Sequence, residues 1–130
     1  MTIRYATEKD IELLARNDKW VSEEILREKV NQNKIFVAFD GGHFIGWLRY
    51  GLFWDNIPFM YMLHLTGEYR GNGFGRKLVE YWENEMKQLG YKVVATSTAQ
   101  TETAQHFYGK LGYKAAGSFQ LASEPLEIIF

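Results

Sequence analysis

A chain of 130 residues, 46% hydrophobic and 24% charged, is long enough for one domain with one core and is ordinary in composition for a globular protein. Fifteen basic against sixteen acidic side chains leave a net charge of −1, which excludes a broad electrostatic footprint for nucleic acid but allows a local basic patch. The absence of cysteine excludes disulfides, thiolate metal sites and a cysteine nucleophile, and no metal site is expected.

The first residues, "MTIRYATEKD", contain no apolar run of signal-peptide length. The most apolar stretch, "HFIGWLRYGLFW", is too short to span a bilayer and is broken by Arg49. A cytoplasmic protein with no membrane partner is expected. "TIRYA" alternates as a short strand. Thr7 with Asp10, and then Ser22, have the pattern of helix N-caps ahead of the apolar sets Ile11, Leu14, Ala15 and Ile25, Leu26, Val30. "NDKW" is the loop between those two helices.

From residue 35 the period changes to that of strands. "KIFVAF", "HFIGWLRYGLFW" and "PFMYMLHLT" are rich in β-branched and aromatic residues. "DGG" at 40–42 is a strong hairpin signal, and "DN" at 55–56 a weaker one. Pro58 has to sit at the opening of its strand. Residues 59–65 are nearly all apolar, which predicts a central strand buried on both faces. Next, Phe74, Leu78, Tyr81, Trp82 and Leu89 share one side of a helix that Gly90 stops. "KVVATS" follows as a buried strand. A helix carrying Ala104, Phe107, Tyr108 and Leu111 ends at Gly112, and "YKAAGSF" and "LEIIF" close the chain as strands.

The predicted order is β-α-α-β-β-β-α-β-α-β-β in one domain over residues 1–130, a mixed α/β sheet and not a doubly wound one. The strand-helix-strand unit over 59–98 requires a parallel pair with a right-handed crossover.

Between that unit's first strand and its helix lies "EYRGNGFGRK". Unpaired N–H groups at a helix N-terminus, with the macrodipole behind them, attract an anion, and glycine lets its oxygens approach the backbone. A phosphate or pyrophosphate is the candidate, with Arg70, Arg76 and Lys77 supplying full charges. The spacing fits neither a P-loop nor a dinucleotide fingerprint, because Arg76 and Lys77 follow Gly75. Taken alone, the glycines could equally form a mere flexible turn.

Together with "AQHFYGKLGY" thirty residues on, the stretch resembles the GNAT superfamily of acetyl-CoA-dependent N-acetyltransferases. Arg70, Gly73 and Gly75 meet its Arg-x-x-Gly-x-Gly/Ala signature. Ala104, Phe107, Tyr108, Lys110, Gly112 and Tyr113 meet its second motif. The resemblance covers essentially the whole chain and implies a GNAT-like fold with acetyl-CoA as cosubstrate. It implies that the amides of Arg70, Gly71, Asn72, Gly73, Phe74, Gly75 and Arg76 hold the pyrophosphate. It also implies that the backbone of Leu63 and Leu65 pairs with the pantetheine arm. Where the family often carries an asparagine on the cofactor, this chain has Thr101.

The implied reaction is acetyl transfer to a primary amine of a small molecule or peptide, with Tyr108 protonating the departing thiolate. The alternative reading of Tyr108 is a helix residue that only packs on the sheet, beside Phe107 and Leu111 in the core. On the central strand His64 is the titratable residue besides Tyr61, and alternation puts it on the face opposite Tyr61, Leu63 and Leu65. It is read as a packed histidine, with a base role requiring a bulge. His43 and His106 have no clear role. Trp20, Trp47, Tyr50, Trp54 and Tyr61 are candidates for an aromatic acceptor pocket near the loop of the first helices, or else core. Glu23 and Glu24 either attract a cationic amine or complement a helix start. A non-catalytic acyl-CoA-binding module on the same fold is the alternative, and a homodimer is among the assemblies left open.

Overall fold

A computed structural model describes residues 1–99, 104–119 and 127–130. Its strands are β1 (Thr2–Tyr5), β2 (Ile35–Asp40), β3 (His43–Phe53), β4 (Ile57–Leu65), β5 (Ala95–Ala99), β6 (Gly117–Phe119) and β7 (Glu127–Ile129). Its helices are α1 (Ile11–Asn17), α2 (Glu23–Asn31), α3 (Phe74–Gln88) and α4 (Ala104–Lys110), with short 3-10 turns at Glu8–Asp10 and Gly67–Tyr69. The element order is the one the sequence predicts. The strands form one mixed sheet in the order β1-β2-β3-β4-β5-β7-β6, with β4 and β5 parallel across α3 and the other pairs antiparallel. Among the described residues no helix is long and apolar enough to cross a membrane.

Strand alternation divides the core between the two faces of the sheet. Phe36, Leu48, Tyr50 and Met60 pack with Leu78, Val79, Trp82 and Met86 of α3 and with Tyr108 of α4. Ile35, Val37 and Trp47 pack on the other face with Ile11 and Leu14 of α1 and Leu26 and Val30 of α2. Ser22 caps α2 as its sequence predicts, its Oγ accepting from the Ile25 amide at 3.2 Å. Asp10 accepts from the Thr7 amide at 2.7 Å and from both terminal nitrogens of Arg4 at 2.7 and 3.1 Å. Burial works against its ionised form, but these bonds outweigh it and hold the carboxyl below its ordinary range.

Several local expectations are corrected. Leu89 lies at the end of α3 and is 61% exposed, and the buried face of that helix runs through Gly75, Val79 and Met86 besides Leu78 and Trp82. The strand expected from Lys92 begins only at Ala95. The β2–β3 turn uses Gly41 and Gly42 at φ 57° and 85°, as "DGG" requires, but the β3–β4 turn uses Trp54 and Asp55 at φ 52° and 62°. A bulky residue in the left-handed region is costly, and nothing in its sequence neighbourhood announces it.

β4 is not buried on both faces. Only Pro58 and Met60 are buried along it. Among the described residues its pairing with β5 is confined to Phe59↔Ala95 and Met60↔Thr96, and the C-terminal half of β4 borders two cavities.

Candidate active site

The parted strands lead into the glycine turn. After β4 ends at Leu65, the Arg70 Nε donates back to the Leu65 carbonyl at 3.0 Å and folds the loop under the strand end. Gly71 and Gly73 sit at φ 77° and 81°, where an L side chain is strained, and Gly73 is the N-cap of α3. A Cβ built on either would meet no atom within 4 Å, so their backbone faces open space. Gly75 differs: it is buried in the first turn of α3, and a Cβ there would lie 3.4 Å from the Phe107 ring and 3.5 Å from Leu65, in ordinary van der Waals contact with both.

This turn forms one wall of a cavity of about 410 Å³. Leu63, Leu65, Arg70, Gly71, Gly73, Gly75 and Arg76 all line it. Asn72 and Phe74 do not: Asn72 donates to the Glu68 carbonyl at 3.4 Å, and the Phe74 ring packs edge-on to Tyr69. Lys77 also stays outside, its Nζ 5.7 Å above the Phe74 ring. Thr101 lies outside the described residues. Phe107 and Leu111, expected as core, are half-buried and line this cavity together with Lys110. The shared helical spacing of Phe107, Lys110 and Leu111 was the available signal, since it puts the motif's neighbours on the same side of α4.

β4 carries a bulge in the middle of the site. Arg49 pairs with Met62 and Tyr50 with Met60, leaving Tyr61 as a surplus residue. Downstream of it, Leu63 and Leu65 still face the α3 side with Met60, and Met62 faces the α1–α2 side. The Tyr61 ring lies over Gly51, where a Cβ would collide with it, and the Lys29 Nζ of α2 sits 5.4 Å from its centre. Tyr61 is therefore on the face opposite Leu63 and Leu65, not beside them as strict alternation requires.

His64 shares the face of Tyr61 and packs on Trp47 with ring centroids 4.8 Å apart. Burial, reinforced by the Arg70 charge and opposed by Asp18, pushes its imidazole below the ordinary value. It lines neither this cavity nor the next.

A second cavity, of about 370 Å³, meets the first at Leu63 and fills the gap between β4 and β5. Tyr108 enters it from α4 and is almost completely buried, its ring among Phe107, Tyr113 and Phe130 at 5.4, 5.8 and 6.0 Å. Tyr61, 47% exposed, and Trp20, 79% exposed, line the cavity from the opposite face. Trp20 and Tyr61 thus share a cavity with Tyr108, whereas Trp47 and Tyr50 are buried in the core and the exposed Trp54 lines neither cavity. Glu23 and Glu24 line neither cavity.

The loop carrying Trp20 is fixed by a residue the sequence left unremarked. Asp18 is buried, and its Oδ2 accepts from Arg49 Nε at 2.9 Å and Trp47 Nε1 at 3.2 Å, while Oδ1 accepts from the Trp20 amide at 3.3 Å. Arg49 is buried with it. Among the described residues no cluster of histidine and acidic side chains could hold a metal ion.

A seven-stranded mixed sheet with a parted parallel pair, a glycine turn at a helix N-terminus and a tyrosine beside the gap defines the GNAT fold class. The profile of the acetyltransferase (GNAT) family matches residues 4–113, and the chain belongs to that family. Compared by sequence with curated proteins, it finds no match.

Among solved structures it is similar to Ard1 from Thermoplasma volcanium, at 15% identity and a TM-score of 0.83, covering 98% of this chain and 93% of that one. It is similar to the ribosomal-protein-S18-alanine N-acetyltransferase from Escherichia coli, at 18% identity and 0.80, covering 98% and 90%. It is also similar to the PaiA N-acetyltransferase from Thermoplasma acidophilum in complex with coenzyme A, at 18% identity and 0.72, covering 98% and 96%. At these identities the likeness is one of fold.

Proposed function

We propose that the protein transfers an acetyl group from acetyl-CoA to a primary amine of a small molecule or peptide. The reading rests on one observation: an anion-attracting glycine turn and Tyr108 open onto two cavities that meet where β4 and β5 part. Family membership supports it. So do the coenzyme A bound to the Thermoplasma acidophilum relative and the alanine acceptor named for the Escherichia coli one.

The fit to the cosubstrate is physical. Left-handed Gly71 and Gly73 present bare backbone beside the unpaired amides of α3, and Arg70 and Arg76 add charge for a pyrophosphate. Among the described residues the backbone of β4 beyond Met60 is not paired to β5, so Leu63 and Leu65 can pair with an extended pantetheine arm. Acetyl-CoA supplies the activated thioester. As the C–N bond forms and the C–S bond breaks, the Tyr108 hydroxyl gives its proton to the leaving sulfur, a contribution of about 10²–10⁴ in rate. The proton shed by the acylated nitrogen restores the hydroxyl through water. The amine must attack neutral. An amine of pKa about 10.4 meets this condition at pH 7 in roughly one molecule in 2,500, at a cost of about 4.6 kcal/mol. The rate therefore rises from about pH 6 to 9 with the ionisation of the amine.

The test is release of free thiol from acetyl-CoA with a panel of amino acids, polyamines, aminoglycosides and peptides. Turnover with at least one amine is expected, and Tyr108→Phe should lower kcat by about 10²–10⁴ with cofactor affinity nearly unchanged. No turnover with any amine, together with no binding of acetyl-CoA at millimolar concentration, refutes the reading.

A further inference from the structure

The two cavities carry opposite charge. The one at the glycine turn is lined by Arg70, Arg76 and Lys110 and by no carboxylate among the described residues. The one holding Tyr108 is lined by no cation among the described residues and by one carboxylate, Glu127. We propose that Glu127 is the anionic anchor that captures the acceptor as its ammonium ion and turns it toward the gap between β4 and β5. The proposal rests on the reading of the second cavity as the acceptor site.

β7 places this residue. It runs antiparallel to β5 with Ala99 opposite Glu127 and Ser97 opposite Ile129. On β5, Thr96 and Thr98 are buried, and Ser97 between them points to the other face. The Ser97 Oγ donates to Glu127 Oε1 at 2.7 Å, which holds the carboxylate on Ser97's side of the sheet. Tyr108 therefore reaches the gap from the α3–α4 side and Glu127 from the opposite side.

Glu127 is half-buried, and among the described residues it has no ion-pair partner and no bond to its second oxygen, Oε2. A partly desolvated carboxylate without a counter-ion favours a cationic ligand. Trp20 and Tyr61 line the same cavity and provide aromatic surface for the body of such a ligand. The basic wall of the first cavity repels an ammonium ion, so charge sorts the two reactants to separate mouths. The acceptor class is a primary amine that is protonated when it binds and gives that proton to solvent before it attacks, and an uncharged isostere is discriminated against.

The test is calorimetric titration of the full chain at pH 7 with phenethylamine and with 2-phenylethanol, which keeps the ring but lacks the charge. Coenzyme A is titrated into the same samples. The unmodified protein should bind the amine more tightly than the alcohol. Glu127→Gln should weaken amine binding by about tenfold and leave the alcohol and coenzyme A unchanged. Ser97→Ala should weaken the amine by a smaller factor, by freeing the carboxylate. Equal amine binding by Glu127→Gln and the unmodified protein overturns the proposal, as does a lack of preference for amine over alcohol. Failure to bind coenzyme A is a separate result that counts against the cofactor reading alone.

Discussion

The walls of the two cavities that meet at Leu63 are built from different parts of the chain's chemistry. On the glycine-turn side, where the cofactor is proposed to bind, the surface is backbone: left-handed glycines, helix amides and an unpaired strand edge, with side chains adding charge at the rim. On the Tyr108 side, proposed to take the acceptor, it is side chains, brought from α4, β4, β7 and the α1–α2 loop by contacts between residues far apart in sequence. A backbone site is insensitive to most neighbouring substitutions and very sensitive to any that closes its conformation. A site of converging side chains depends on each long-range anchor that aims them.

The strongest way to break the acceptor side is through its anchor. Asp18→Ala leaves Arg49 buried without its partner and should destabilise the protein by about 3–5 kcal/mol, read as a fall in the denaturant midpoint. A loss below 1 kcal/mol would show that the pair does not hold the Trp20 loop. The corresponding attack on the cofactor side is Gly73→Val, which forces a β-branched residue to φ 81° at the N-cap of α3. At coenzyme A one hundred times its Kd the unmodified protein gains about 2.7 kcal/mol, and the variant should show no such rise in melting temperature. Asn72→Ala in the same loop should keep the full rise, because that side chain lies outside the cavity.

Gly51→Ala sharpens the contrast further. The new Cβ meets the outer end of the half-exposed Tyr61 ring, which can swing aside, so the cost in stability should be below about 1 kcal/mol. Steady-state kinetics should show a raised KM for the amine with coenzyme A affinity unchanged, and a changed coenzyme A affinity would mean that the two sides are not independent.

The smallest effect is the pH response of His64. Its folded pKa is lowered, so between the folded value and the ordinary value near 6.5 the unfolded chain binds more protons. Stability is whole above about pH 6.5 and declines as pH falls through that value toward the folded one. His64→Gln should flatten this part of the melting-temperature profile. An unchanged slope would assign it to other groups.

The difference between the two sides also explains what could be read in the sequence. Element order followed from periodicity, Ser22 and the paired Gly41 and Gly42, because these signals are local. The glycine turn was legible because backbone conformation leaves a trace in glycine placement. The bulge was not, since "FMYMLHL" is apolar apart from His64 and a change of facing at Tyr61 leaves no clear break in the hydrophobic pattern. Asp18 read as one polar residue in a loop, and its partner Arg49 lies thirty-one positions away. Glu127 read as the polar position of a terminal strand, and only the partial pairing of β4 and β5 gives it a cavity to face.

The surplus residue in β4 has a further consequence. Every other residue on that strand keeps its partner on β3 whether or not Tyr61 is there, so the sheet does not depend on it for register. Removing it would restore an unbroken ladder between Arg49↔Met62 and Tyr50↔Met60, with Met60 and Met62 still on opposite faces. Tyr61 is thus a position where the chain can change length by one without renegotiating its fold. A change of length there alters the wall of the Tyr108 cavity and leaves the glycine-turn cavity, which Tyr61 does not line, untouched.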